Sequence, residues 1–444
     1  MGKIFDKLKA AYWEFPIIPS SMKDDIFYGI RKMVRGSVKK ESSHEVFESY
    51  VNSMLKKQLP SDSYEELEKQ NFLRCDDDTK LLAYYLPQFY PTPYNDKWWG
   101  KGTTEWRNVS KGMPQYVGHY QPRFPGELGY YDLRLIENIE RQVELAKKSG
   151  IYGFCFYYYW FDGTRLLDKP VDMFVESKIE FPFCFCWANE NWSKQWFGTS
   201  DEPLIVQSKT SESYKKFIES IEVYIKDSRY MTVNHKKVLV IYRPKSIPDT
   251  ANTLKYWRDY IKNKTGYELY IIAAMNDTYE SYRESDFLSV GFDAISEFCL
   301  GPQRKYFSDI KNNKKFVCDE FLGNVYDYRD FVVNKKYFSE SLPKLYRAIT
   351  PMWDNSARKV NKGIILDGST PELYRMWLED IMMETKVNKE RNKIDDNLIF
   401  INAWNEWSEG AYLEPDLKYG YGYLNATLQA MINLRDKKYV AQKK

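Results

Sequence analysis

Residues 398 to 416 read LIFINAWNEWSEGAYLEPD. The first part, LIFINAW (398–404), is a near-continuous apolar run, the pattern of a strand buried on both faces in a parallel sheet. Directly behind it stand Asn405, Glu406, Trp407, Ser408, Glu409 and Gly410. An apolar strand that runs out into amides, rings and carboxylates has the form of a barrel strand whose C-terminal end opens on an active site.

The same form recurs upstream in KLLAYYL (80–86), IYGFCFYY (151–158), FPFCFCW (181–187), KVLVIY (237–242), ELYIIAA (268–274), DAISE (293–297) and YRAITPM (346–352). Helical periodicity with Glu/Lys-rich polar faces falls between most of them, at 132–149, 211–227, 252–262, 325–342 and 372–387, with a closing segment at 420–436. Eight such units predict an α/β chain, a (β/α)8 TIM-type barrel with long βα loops over residues 80–436. The long connections 87–131, 188–210 and 298–324 all follow strands, which puts them on the C-terminal face where such barrels build their sites. A doubly wound sheet is the alternative, but no GxGxxG or GxxxxGK[ST] follows any strand, so a nucleotide-binding fold of that type loses support.

Residues 1–79 read differently, as a basic helical extension broken by Pro16, Pro19 and Pro60. Residues 1–40 carry nine Lys/Arg against four Asp/Glu, a local +5, with Phe5, Leu8, Tyr12, Phe27, Ile30 and Met33 among them. Such a segment suits peripheral association with an anionic membrane surface; packing on the main domain is the plainer alternative. Residues 437–444 read as a short basic tail.

Over 444 residues, 65 Lys+Arg nearly balance 62 Asp+Glu, which argues against a nucleic-acid partner held by bulk charge. No apolar run reaches the roughly 20 residues of a spanning helix. Met1 to Ser20 lacks the apolar region and cleavage site of a secretory signal, and the six cysteines read as buried thiols of a reducing compartment, so the expected location is cytoplasmic. The three histidines are isolated and Cys184 and Cys186 share a strand, so neither a metal nor a cofactor is expected. Trp, Tyr and Phe together make 17% of the chain, enough for a large core, a sugar-binding cleft, or both.

The strand ends supply candidates for such a cleft: Tyr159 and Trp160; Trp187, Asn189, Glu190 and Trp192; Asn276; Trp353; Trp404, Asn405 and Trp407; and, from the long first loop, Trp99 and Glu105. Rings cover the C–H faces of a sugar while amides and carboxylates take its hydroxyls. Tyr157, Tyr158 and Tyr159 alternate faces, so at most two can look into the barrel. Arg243 reads as the partner of a neighbouring carboxylate, and Asp76-Asp77-Asp78 as a solvated turn at the barrel's opposite end.

Glu406 and Glu409 are the catalytic candidates. In an extended chain they would point to opposite faces. A helical turn through Trp407 and Ser408 brings their Cβ atoms within about 5–6 Å, comparable with the roughly 5–5.5 Å between the carboxyl groups of retaining glycosidases. Gly410 favours such a turn. The plain structural alternative has Glu406 capping a loop and Glu409 facing water.

The runs YYLPQFYP (84–91), NDKWWGKGTTEWRNV (95–109), LGYYDLR (128–134), GFCFYYYWFDGTRLLDKP (153–170), PFCFCWANENW (182–192) and NAWNEWSEGAYLEPD (402–416) resemble the WbsX-like glycosyltransferases of surface-polysaccharide biosynthesis. Those are similar in turn, chiefly through the NEWSEG segment, to family 99 glycoside hydrolases, the endo-α-mannosidases and endo-α-mannanases. The resemblance implies a barrel that forms or cleaves an α-glycosidic bond with retention and without a metal. It implies Glu406 as base on the sugar's own 2-hydroxyl, Glu409 as general acid/base and Glu190 as a further active-site carboxylate. The expected partner is an oligosaccharide or polysaccharide, lipid-linked or free. An endo-acting hydrolase and a non-catalytic carbohydrate-binding assembly protein are the competing readings.

Overall fold

The computed structural model describes residues 43–55, 59–193, 203–284, 286–298, 300–317 and 320–442, so the basic segment 1–40 lies outside the described residues. Eight parallel strands form the barrel: β1 (Lys80–Tyr85), β2 (Ile151–Phe161), β3 (Phe183–Trp187), β4 (Lys236–Ile241), β5 (Leu269–Met275), β6 (Ala294–Glu297), β7 (Leu345–Tyr346 continued by Ala348–Ile349) and β8 (Leu398–Ile401). Each lies within two residues of its expected start. Neighbours pair in sequence order, and β8 pairs with β1 through Lys80↔Leu398 to Ala83↔Ile401.

Closure depends on β7, whose two halves pair with different neighbours: Ile295↔Leu345 joins it to β6, and Ala348↔Phe400 joins it to β8. Arg347 sits at the division. Its Nη1 donates to Glu297 Oε1 at 2.7 Å and its other nitrogens grip Glu384, while the amide of Ala348 donates to Glu297 Oε2 at 3.0 Å. Glu297, which reads as a strand-end carboxylate in the sequence, is thus the bolt between β6 and β7.

The helices α1 (Ile136–Lys148), α2 (Lys169–Glu176), α3 (Ser211–Ile225), α4 (Thr250–Thr265), α5 (Tyr279–Glu284), α6 (Tyr328–Val333), α7 (Pro371–Glu390) and α8 (Gly422–Gln442) surround the sheet. The last runs to Gln442, into the stretch expected to be a tail. No described helix is long and apolar enough to cross a membrane.

Strand alternation divides the aromatic load in two. Tyr84, Tyr157 and Phe400 stack inside the barrel beside Cys155, Cys184 and Cys186. Phe154, Phe156, Tyr158 and Phe185 face outward, Phe156 against Phe174 of α2 and Tyr158 against Phe217 and Tyr224 of α3. Cys75 is exposed, against the expectation of a buried thiol, because it lies in the irregular lead-in to β1. Asp78, beside it, pairs with Arg435 of α8.

The connections after β6 and β7 hold a feature absent from the sequence reading. Ser308–Asp309, Asn324–Asp327, Ile364–Asp367 and Trp353–Asp354 form a small four-stranded sheet outside the barrel. It fixes the hairpin 353–367 that carries Arg358.

Replacing Arg347 by Met leaves Glu297, 1% exposed, without its counter-charge. Loss of one partner of a buried pair costs about 3–5 kcal/mol, so the unfolding free energy from denaturant titration should fall by that amount; an unchanged value would remove Arg347 as the closing element.

Candidate active site

Three strand-end amides build the mouth by holding backbone. Asn405 Oδ1 accepts from the amide of Leu86 at 2.7 Å, and its Nδ2 donates to Leu86 O at 3.0 Å and Tyr131 Oη at 3.2 Å. Asn189 repeats the device between β3 and β4, accepting from Arg243 N at 2.7 Å and donating to Arg243 O at 2.9 Å. Asn276 donates to the carbonyl of Tyr242. The hydrogen bonds of these amides go to neighbouring strand ends, so their part is to set the rim on which the other side chains stand.

After Asn405 the chain makes the expected turn, one 3-10 turn over Trp407–Glu409 closed by Gly410 in the left-handed region at φ 57°. Trp407 anchors it, stacked on Tyr412 at 3.8 Å and donating through Nε1 to Glu414 at 2.6 Å. Burial pushes the Glu414 carboxyl up to about 7, against donors from Trp407, Gln142 and Tyr131 that lower it. Under Gly410 there is no room: a Cβ would stand 2.9 Å from Arg123 Nε and from Asp354 N.

Asp354 is itself held by His119 Nε2 at 2.9 Å and Gln121 Nε2 at 2.5 Å, which ties the first long loop to the β7 hairpin. The backbone amide of Gln115 donates to His119 Nδ1 at 3.0 Å, so Nε2 carries the proton that points at Asp354. Burial would raise the Asp354 carboxyl, but His119 and Arg123 beside it prevail and hold it well below its usual value.

One guanidinium gathers the carboxylates. Arg358, from the short helix Ser356–Lys359, donates through Nη1 to Glu409 Oε1 at 2.7 Å, through Nη2 to Glu105 Oε1 at 2.6 Å and through Nε to Ser408 Oγ at 3.0 Å. Its Nη2 lies 3.7 Å from Glu406 Oε2, too far for a hydrogen bond. That oxygen is buried and has no hydrogen-bond donor among the described residues. Glu406 and Glu409 thus both have an oxygen within 4 Å of one guanidinium, the first at 3.7 Å and the second hydrogen-bonded at 2.7 Å.

Electrostatics separates the pair. Burial pushes Glu406 well above the usual carboxylate range and the charge of Glu409 adds to it, with Arg358 opposing. Burial also raises Glu409, but Arg358 is the next influence and works against it. Glu190 faces the cluster from β3's end, paired with Arg243 Nη2 at 3.0 Å as the sequence suggests for that arginine, and is pushed up by burial. Tyr159 lies in the fields of Glu406 and Glu190 together, which locates both at one opening.

The aromatic candidates sort by strand face. Trp192 is buried beside the mouth, with ring centroids 5.3 Å from Tyr159, 5.9 Å from Tyr94 and 6.5 Å from Trp99. Trp187 instead stacks on Phe217 of α3 at 3.9 Å, Trp160 packs on the same ring at 5.7 Å, and Trp404 packs on Phe154 at 5.2 Å. All three belong to the layer between sheet and helices, because parity along their strands, or the path after β8, turns them outward. Trp353 is buried in the small sheet, paired with Leu366. Glu105 is 1% exposed and serves the Arg358 cluster.

The family model for the glycosyltransferase WbsX matches residues 81–427. The chain belongs to the WbsX glycosyltransferase family. WxcX proteins of two strains of Xanthomonas campestris pv. campestris are 38% identical to it over 357 residues, 80% of this chain and 50% of theirs, so the chain spans about half their length. Among solved structures, a glycoside hydrolase-like protein superposes with a TM-score of 0.52 over 83% of this chain and 98% of its own. The GH99 endo-alpha-mannosidase from Bacteroides thetaiotaomicron does so at 0.51, over 82% of this chain and 100% of its own. At 14% identity both show a shared barrel fold.

In this WbsX family member the residue that sequence reading missed is Arg358. The nearest signal was its position in the connection after β7, on the face where the mouth is built.

Gly410→Ala adds a Cβ against backbone in a left-handed conformation, so a loss of about 1–3 kcal/mol is expected. Thermal melting measures it, and wild-type stability in the variant would show that the turn has more room than these distances give.

Proposed function

We propose that this protein is a carbohydrate-active enzyme of surface-polysaccharide metabolism that forms or breaks an α-glycosidic bond with retention, using Glu406 and Glu409. The observation that carries the reading is the pair itself: two carboxylates on one guanidinium at the mouth of a barrel, one of them buried with an unpartnered oxygen. A carboxylate pair split in proton affinity supplies what glycosidic chemistry needs, a proton for the departing oxygen and a negative charge to attack or stabilise the anomeric centre. Membership of a family named for glycosyl transfer supports transfer to a sugar hydroxyl over transfer to water. Half-buried Trp99, set edge-on to Trp192 at 6.5 Å, offers a flat apolar face against which an oligosaccharide or polysaccharide would lie, with buried Trp192 and Tyr159 backing it. Peripheral membrane association and a lipid-linked substrate belong to the same reading and rest on the basic segment 1–40, and a cytoplasmic location rests on the expectation that the cysteines stay reduced, as the free Cys155, Cys184 and Cys186 allow.

Glu406→Gln and Glu409→Gln should each lower turnover by about two orders of magnitude or more, as loss of a proton-transfer group does; near wild-type turnover in either variant on the true substrate would end the proposal.

Stability should move the other way in Glu406→Gln. Its carboxyl is raised in the fold, so above the unfolded value of about 4.3 the unfolded chain loses its proton first and the wild type is progressively destabilised. The variant escapes this. Its melting temperature should equal that of the wild type near pH 4 and exceed it at neutral pH; a variant less stable at neutral pH would make Glu406 a structural residue.

A further inference from the structure

We propose that Arg358 is a positioning residue that decides which carboxylate of the pair carries the proton in the resting protein, holding Glu409 ionised and leaving the proton on Glu406. The inference rests on the paired-carboxylate reading above and adds to it where proton and charge start.

Arg358 has a planar fork with a fixed set of N–H directions. Nε is committed to Ser408 Oγ, Nη1 to Glu409 Oε1 at 2.7 Å and Nη2 to Glu105 Oε1 at 2.6 Å. Glu406 Oε2 is left 3.7 Å from Nη2, buried, with no donor among the described residues. A charge-assisted hydrogen bond stabilises an ionised carboxylate, whereas a buried carboxylate oxygen without a donor is stabilised by taking up a proton. Glu409 has the first environment and Glu406 the second.

The surroundings agree. The charged and titratable groups whose fields involve Glu406 are Glu409, Arg358, Glu105, Tyr157 and Tyr159, and of the charged ones only Arg358 favours ionisation. Glu409 is influenced by Arg358, Glu105, Lys359 and Glu190, two of them cations, and its own charge is felt by Glu406 and Tyr242. The side chain of Glu409 is 22% exposed against 6% for Glu406, so water also favours charge on Glu409.

The consequence for the reaction is specific. For Glu406 to act as base on a sugar hydroxyl, as the resemblance to family 99 implies, its proton must first pass to Glu409. The O–H bond on Glu406 breaks, one forms on Glu409, and the pair carries a single negative charge before and after. The contact that must yield is the one between Arg358 Nη1 and Glu409. A sugar that draws Arg358 away from Glu409 would therefore arm both groups together, and the empty site would stay unarmed.

The experiment needs no substrate. Carboxyl carbons of 13C-Glu-labelled protein are titrated by NMR, with the two signals assigned by their disappearance in Glu406→Gln and Glu409→Gln. At neutral pH the Glu406 carbon should have the shift of a carboxylic acid and the Glu409 carbon that of a carboxylate. In Arg358→Lys, which keeps the charge but loses the fork, the Glu409 midpoint should move to higher pH while far-ultraviolet circular dichroism is unchanged. The reverse assignment, two ionised carboxylates, or an unmoved Glu409 midpoint in a folded Arg358→Lys would each overturn the proposal. Turnover of the Gln variants tests the enzyme reading separately, so the two can fail independently.

Discussion

The fork of Arg358 is the contact on which the mouth of this barrel depends. It joins Glu105 of the first long loop, Ser408 and Glu409 of the turn after β8, and the hairpin after β7 on which it stands. A guanidinium buried this deeply is costly unless nearly every N–H finds an acceptor. Here the acceptors come from two connections and the donor stands on a third, with Glu105 and Ser408 already 303 residues apart in the chain. None of these loops could take its observed course without the other two. The charge that orders the loops is therefore the same charge that divides the two candidate catalytic carboxylates.

The barrel prepares this in two ways. Its strand ends are tied pairwise by asparagines, β8 to β1 through Asn405, β3 to β4 through Asn189 and β5 to β4 through Asn276, so the rim has little freedom left. Outside the rim, the four-stranded sheet made by the connections after β6 and β7 carries the Arg358 hairpin, and the His119–Asp354 contact pins the first loop to the same hairpin. Beneath the turn, Gly410 sits where a side chain would strike the backbone of Asp354. Rigid strands thus position the turn and long loops position the cation.

Most of the barrel was legible because parallel strands buried on both faces leave apolar runs that composition cannot hide. The turn at Trp407 and Ser408 was legible for a local reason too, since Gly410, directly behind Glu409, permits it. Trp187, Trp160 and Trp404 were misplaced because a strand end read as a cluster ignores parity: a residue one step away from an inward neighbour faces the helices instead. Asn189, Asn276 and Asn405 read as sugar ligands, yet each spends amide hydrogen bonds on the backbone of a neighbouring strand end. Arg358 was invisible because its meaning lies in contacts 253 and 51 residues away along the chain, for which no spacing rule exists.

In the proposed reaction Glu406 and Glu409 act as a close pair on one anomeric centre. The anomeric configuration of the first product, read by proton NMR on the new linkage or, where water is the acceptor, before mutarotation, tests that pairing. A carboxylate pair acting through an intermediate gives a product with the α configuration of the substrate. A first-formed β product would contradict the account, since it would require a single displacement across a wider gap.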